Sequence, residues 1–340
     1  MIDSLVASAL VPDPFIRIGI RRLLGQRLEE LAQPTPTALL NYKKKFIESC
    51  KSAPIAVQTR DANEQHYEVP TEFYLYALGP NLKYSCAYFE EGDDLGTAEI
   101  RMLEKTVTTA KIQNGEKVLE LGCGWGSLTL FMAKQFPDSQ ITAVSNSKTQ
   151  KEFIDNKAAK LGLTNVCIIT ADMNQFQTEE KFDRVVSVEM FEHMRNHKQL
   201  LEKVSTWLNP KGTLFVHIFV HKDTPYLFEV KDESDWMSKY FFSGGMMPSD
   251  DYFTYYQENF SLVDHVKYNG KHYSDTAEAW LTNMDNHKKE IRSIFEKHYG
   301  TKEATKWIEY WRIFFMSCSE LWKYRNGEEW FVSHYLMEKK

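Results

Sequence analysis

The sequence predicts an α/β protein built on an open parallel sheet. Three observations carry that expectation. Short apolar runs alternate with helical patterns from residue 117 to residue 219, which is the order of βαβ units. The runs are continuous and rich in Val, Ile and Leu, as in strands covered on both faces. The first run passes straight into Gly122-x-Gly124-x-Gly126, where glycine lets the backbone turn tightly and approach a ligand closely.

Residues 1–60 read as amphipathic helix, with Phe15, Ile18, Ile20, Leu23, Leu24, Leu28 and Leu31 at helical intervals and a break at Gln33-Pro34-Thr35-Pro36. Residues 61–89 are Tyr-rich without a clean period and predict loops and short helices over a site. A helix is expected over 95–112, ending near Asn114-Gly115. Strands follow at 117–121, 140–144, 165–170, 183–188 and 212–219, with helices at 126–136, 148–161 and 199–208 between them. After Val220 the alternation stops. The stretch 222–260, with Ser243-Gly244-Gly245, reads as a lid or insertion, then a strand at 262–268, helices within 275–325 and a last strand at 330–337. Three regions result: 1–94 a helical cap and cover, 95–220 a cofactor core, and 221–340 a lid, helical insertion and final strands.

The 340 residues, 43% of them hydrophobic, suffice for a large core. A formal net charge of -6 disfavours a general nucleic-acid binder and suits a small cationic partner. The five cysteines, at 50, 86, 123, 167 and 318, form no CxxC pair, so neither a disulfide framework nor a zinc site is expected. A reducing, cytoplasmic setting is the expectation. Asp3, Pro12, Asp13 and Pro14 interrupt the first apolar stretch, unlike a signal peptide. No run approaches the roughly 18 apolar residues that would insert stably in a bilayer.

Glu120 ends the first strand, immediately before the glycines. The spacing is GxGxG rather than the dinucleotide GxGxxG, and a carboxylate there would repel a pyrophosphate. It suits a cation, such as the amino group of S-adenosylmethionine. Gly122 and Gly124 would floor that cofactor at a helix N-terminus. Asn146 and Gln150, after the second strand, can hold ribose hydroxyls, and Asp172, after the third, can accept from an adenine amino group.

The fourth strand leads into Glu189-Met190-Phe191-Glu192-His193-Met194. Two carboxylates and an imidazole thus stand at the carboxyl end of a strand, where open α/β sheets bind ligands. If this turn is helical, Glu189, Glu192 and His193 share one face. An alkylammonium must lose a proton before its nitrogen can attack a methyl carbon, so Glu192 and His193 are assigned to proton acceptance and Glu189 to holding the amine. The pairs His193/His197 and His217/His221 have metal-like spacing, but no third ligand or HExxH pattern accompanies them, and no metal is expected. Aromatics crowd the C-terminal half; each is core by default, and together they suit a pocket for a cationic or ring-bearing ligand.

The segment 189–194, Asn146-Ser147-x-x-Gln150, His66-Tyr67-Glu68-Val69-Pro70 and Lys83-Tyr84-Ser85-Cys86-Ala87-Tyr88-Phe89 resemble the cyclopropane fatty acid synthase-like methyltransferases. Tyr240-Phe241-Phe242-Ser243-Gly244-Gly245, Asn269-Gly270-Lys271-His272-Tyr273, Tyr310-Trp311-Arg312 and Asn326-Gly327-Glu328-Glu329-Trp330 resemble its coclaurine N-methyltransferase branch, which acts on benzylisoquinoline alkaloids. The resemblance runs from about residue 10 to the end. It implies a Rossmann-like class I methyltransferase sheet of seven strands with an N-terminal helical cap and a C-terminal helical insertion. It also implies methylation of a secondary or tertiary amine, with S-adenosylhomocysteine as coproduct and a homodimer as a compatible assembly. Glu189, Glu192 and His193 would lie at the active site, and Tyr84 and Ser85 by the methionine portion of the cofactor. Tyr88, Phe242, Trp311 and Trp330 would wall the amine pocket. Two positions depart from the family pattern: Asp94 stands where Thr is usual, and Met246-Met247 fills a variable stretch bordering the substrate. The alternative is a lipid-modifying cyclopropane-type synthase. Glu189 separates the two, because the lipid enzymes usually carry a small residue there.

Overall fold

The computed structural model describes residues 11–57, 69–230 and 235–340. His66, Tyr67 and Glu68 therefore lie outside the described residues, as does the start of the chain. Among the described residues, six helices and four strands lead up to the 189–194 carboxylate motif: α1 (Asp13–Leu31), α2 (Pro36–Lys51), α3 (Thr71–Ala77), α4 (Leu95–Thr109), β1 (Lys117–Leu121), α5 (Ser127–Gln135), β2 (Gln140–Ser145), α6 (Lys148–Lys160), β3 (Val166–Thr170) and β4 (Phe182–Val188). The chain continues as α7 (His197–Trp207), β5 (Leu208–His221), β6 (Tyr226–Leu227), α8 (Trp236–Tyr240), β7 (Met246–Met247), β8 (Phe260–Tyr268), α9 (Lys271–Asn286), α10 (Lys288–Tyr299), α11 (Thr301–Trp322) and β9 (Trp330–Lys339).

Local chemistry sets several boundaries. Thr35, Asp94, Ser147 and Asn196 each accept a backbone N–H from the first turn of α2, α4, α6 and α7. Asp94 is thus an exposed helix cap, 2.8 Å from the Thr97 N–H. In β1, Val118 to Leu121 are all buried, as a strand covered on both faces requires.

The seven-stranded sheet has the order β3-β2-β1-β4-β5-β9-β8. The pairs β3–β2, β2–β1, β1–β4 and β4–β5 are parallel. The pairs β5–β9 and β9–β8 are antiparallel, so the sheet is mixed where the sequence pattern alone suggested parallel. Strand order reverses between β1 and β4, the switch point where a crevice opens at the carboxyl ends. The helices expected within 275–325 are α9, α10 and α11, the first of which begins earlier, at Lys271. The cap is pinned to them by charge: Arg17 meets Glu278 at 2.5 Å and Glu320 at 3.1 Å, and Arg312 meets Asp13 at 2.6 Å. Among the described residues no helix is long and apolar enough to cross a membrane.

Candidate active site

A cavity opens at the switch point, and it is lined from both halves of the chain. At one end stand Tyr84, Ser85, Glu120, Gly122, Gly124, Asn146, Gln150 and Asp172. The other end is apolar, with Phe219, Phe228, Met237, Phe242, Met247, Phe314, Leu321 and Trp322. Glu189, Glu192 and His193 also line this cavity.

The polar end is built by β1 and β2. Gly122, Gly124 and Gly126 all have positive φ. A side chain on Gly122 would meet Met190 at 2.6 Å, which forces glycine there for packing. A side chain on Gly124 would meet no protein atom within 4 Å, so it would project into open space. That bare backbone, at the N-terminus of α5, is a floor for a ligand. Glu120 is buried, and Thr129 Oγ1 donates to its Oε2 at 2.5 Å. Burial pushes its carboxyl up to about 7, against the pull of that hydroxyl. Ser145 Oγ donates to Gln150 Oε1 at 2.7 Å, which leaves the carboxamide NH2 for another partner. Asp172 Oδ1 accepts from the Asn174 N–H at 2.7 Å in a local turn, and Asn146 stands exposed at the rim. Two buried hydroxyls on the lining, Thr106 Oγ1 and Ser127 Oγ, have no hydrogen-bond partner among the described residues. A cradle, a buried acid and unpaired hydroxyls fit a polar, cation-bearing group such as S-adenosylmethionine.

The carboxylate wall differs from the sequence expectation in one respect. Glu189 does not share a helical face with Glu192 and His193. It has φ 48 and follows β4 directly, and only Phe191–His193 form a 3-10 turn. The strand end and the turn converge on the cavity instead. Glu189 is held from several sides: its Oε1 accepts from the Cys86 backbone N–H at 2.9 Å and lies 3.1 Å from His217 Nε2, while Tyr273 donates a short hydrogen bond to Oε2. Lys83, fully enclosed, donates to Ser85 Oγ at 2.5 Å and to the Cys86 carbonyl at 2.7 Å. Burial raises the Glu189 carboxyl above its usual range, and the Lys83 charge and these donors oppose that rise. Glu192 is the contrast. It is 0% exposed, and neither oxygen has a hydrogen-bond partner on another described residue. Burial first, and the Glu189 charge second, push its carboxyl well above the ordinary 4.5. His193 sits half-buried against Phe242, 4.5 Å between ring centroids.

Three expected pocket aromatics are core instead. Trp311 packs on Phe73 at 4.6 Å and on Phe241 at 5.1 Å. Trp330 is fully buried, and its Nε1 donates to the Tyr226 hydroxyl at 3.1 Å. Tyr88 stacks on His272 at 4.2 Å, under the Lys105 ammonium at 4.0 Å. None of the three reaches the cavity lining. Large aromatic side chains bury themselves where neighbours fit them: Trp311 among helices, Trp330 beside His221 and Tyr226, and Tyr88, half-buried, between Tyr268 and His272. Of Met246-Met247, only Met247 lines the cavity. Lys83, His217 and Tyr273, which frame Glu189, were not singled out as site residues. The one signal was the His217/His221 spacing, but both lie on β5, where that interval builds no helical face, and His221 faces Glu329 instead.

Comparison with known proteins agrees with this architecture. The family model for mycolic acid cyclopropane synthetase matches residues 56–328. An (S)-coclaurine N-methyltransferase of Thalictrum flavum subsp. glaucum is 41% identical over 336 residues, covering 97% of this chain and 93% of that protein. The crystal structure of a coclaurine N-methyltransferase bound to N-methylheliamine and SAH superposes with a TM-score of 0.97 at 38% identity, covering 99% of each chain. The cyclopropane-fatty-acyl-phospholipid synthase of Escherichia coli (strain K12) is more distant, 26% identical over 313 residues and covering 88% of this chain and 76% of that one. Full-length identity at the level of the plant enzymes, on the same seven-stranded sheet, makes this chain an S-adenosylmethionine-dependent N-methyltransferase belonging to the coclaurine N-methyltransferase branch of the mycolic acid cyclopropane synthetase family.

Proposed function

We propose that the methyl acceptor is a small cyclic or aryl-ethyl amine, of benzylisoquinoline or related type, seated in the apolar end of the cavity. The observation that carries this reading is Glu192, a buried carboxyl without a partner, facing an aromatic compartment. An ammonium supplies the missing charge and hydrogen bonds, and aromatic faces favour a cation. Glu189, where the lipid enzymes usually carry a small residue, adds a second carboxylate that suits a cation better than an alkene.

When bound, S-adenosylmethionine offers an electrophilic methyl on a sulfonium. The chain's own residues handle the amine. The positive charges of the bound cofactor and amine offset the burial cost that otherwise keeps Glu192 protonated; as the carboxylate it holds the ammonium and, with His193, takes its proton, and burial makes it a stronger base than a surface carboxylate. Glu189, fixed by Cys86, His217 and Tyr273, is the standing negative charge beside the nitrogen, which turns positive as the methyl arrives. Phe242 positions His193 and closes the amine compartment. At the polar end, Glu120 takes the cofactor's amino group, Tyr84 and Ser85 flank its methionine portion, Asn146 and Gln150 take the ribose, and Asp172 the adenine. Water is kept from the reaction by the apolar wall.

The test is a methyl-donor assay over a panel of cyclic and aryl-ethyl amines alongside phospholipid vesicles. Methylation of at least one amine is expected; cyclopropanation of lipid with no amine methylated overturns the reading. A second expectation concerns pH. Glu120 must be ionised to hold an ammonium, so cofactor affinity falls as pH drops through about 7. Titration calorimetry with S-adenosylhomocysteine, at pH values either side of that point, reads the change; equal affinity throughout removes Glu120 from the role. The free cysteines and the net charge of -6 favour a reducing cytoplasm and a small-molecule partner over nucleic acid, with a homodimer compatible.

A further inference from the structure

Behind Glu189 lies a buried polar chain that methyl transfer, as described, does not use. His217 and His334 are directly paired across the β5–β9 ladder. Both are fully buried, with 4.7 Å between ring centroids. Nε2 of His217 faces Glu189 Oε1 at 3.1 Å, and its Nδ1 meets Nε2 of His334 at 2.8 Å. There the chain ends. Among the described residues Nδ1 of His334 has no hydrogen-bond partner, and the rings of Tyr268 and Phe215 pack on the imidazole at 4.5 and 4.8 Å. A proton has no exit along this path, so it is not a relay.

The ionised state of Glu189 fixes the direction of every bond. The Cys86 backbone N–H donates to its Oε1, and the Lys83 ammonium nearby favours the carboxylate. A carboxylate has no proton to give, so the proton of His217 sits on Nε2. A neutral imidazole has a single N–H, which leaves Nδ1 of His217 as a lone pair in a dry interior. Only the Nε2–H of His334 meets it. We propose that His334 is a positioning residue: it locks His217 as the Nε2–H tautomer and thereby holds Glu189 as a carboxylate pointed at the amine. The other groups that face Glu189 are Lys83 and Cys86 from the preceding loop, Glu192 and His193 from its own turn, Tyr273 from α9 and Cys318 from α11. Those that face His334 are His217, Tyr268 from β8, and the charges of Lys83 and Lys105. This role presupposes that Glu189 serves as the fixed anion of the methyl-transfer site.

The first measurement needs no turnover. Imidazole nitrogen shifts in protein labelled at histidine are expected to show His217 protonated on Nε2, with Nδ1 hydrogen-bonded; the opposite tautomer overturns the proposal. The second uses His334→Phe, which keeps ring volume and removes the donor. The acid limb of kcat/KM against pH is expected to move up by about one unit, a tenfold loss on its acid side, with S-adenosylhomocysteine affinity unchanged. His334→Gln restores an N–H at nearly the same place and is expected to bring the limb back. An unmoved limb in His334→Phe, with His217 still protonated on Nε2, refutes the role. If that variant does not fold, the parent spectrum and the His334→Gln profile decide. Full turnover in Glu189→Gln would instead defeat the reading of Glu189 itself, and the two failures are thereby distinct.

Discussion

Glu192→Gln is expected to lower amine turnover by about 10²–10⁴-fold, the usual contribution of a placed general base, while S-adenosylhomocysteine binds as before. The amide keeps the shape of the side chain and removes its ability to take a proton. The same change is expected to raise the melting temperature. Folded protein holds a proton on Glu192 that the unfolded chain releases above its ordinary 4.5, because burial and Glu189 push the folded value well up. Stability contributed by this site therefore falls as pH rises from that point, and a neutral amide escapes the loss. The two readouts move in opposite directions: an inactive variant melts higher, most clearly above neutral pH. Turnover within a few-fold of the parent at saturating amine would strip Glu192 of the acid–base role.

Gly124→Val is expected to abolish cofactor binding, by about 10²-fold or more. Gly124 has φ 51, and a new Cβ would face open cavity rather than protein. A β-branched side chain is strained there, by about 1–3 kcal/mol, and its methyl groups would occupy the floor on which the cofactor rests. Gly124→Ala separates the two effects, since it carries most of the backbone strain with less bulk. Binding is expected to weaken in the order Gly, Ala, Val, read by calorimetry, with folding followed by circular dichroism. Unchanged affinity in a folded Gly124→Val protein moves the cofactor away from this loop.

The central strands were legible because each is a short apolar run set between helical patterns, the first of them stopped at once by Gly122. β9 was visible as a strand, but not its place between β5 and β8, because strand order depends on non-local pairing. The carboxylate motif was legible as a set of residues and not as a shape. Nothing local signals that Glu189 takes a left-handed conformation; Cys86, His217 and Tyr273, distant in sequence, hold it there. Phe242 and Trp311 look alike in sequence, yet one lines the cavity and the other packs between helices. Such choices follow from volumes that only the assembled interior defines.

β9 follows the other strands in sequence, yet it lies inside the sheet, hydrogen-bonded on both edges by β5 and β8. During synthesis the parallel half can pair as it emerges, but β8 has no neighbour until residues 330–339 leave the ribosome. Until then β5 shows the solvent an open edge and His217 has no imidazole opposite it. Nascent chains arrested before Trp330 should therefore carry a formed cofactor floor and an incompetent amine side, and they are the species most exposed to strand-edge aggregation and to chaperones.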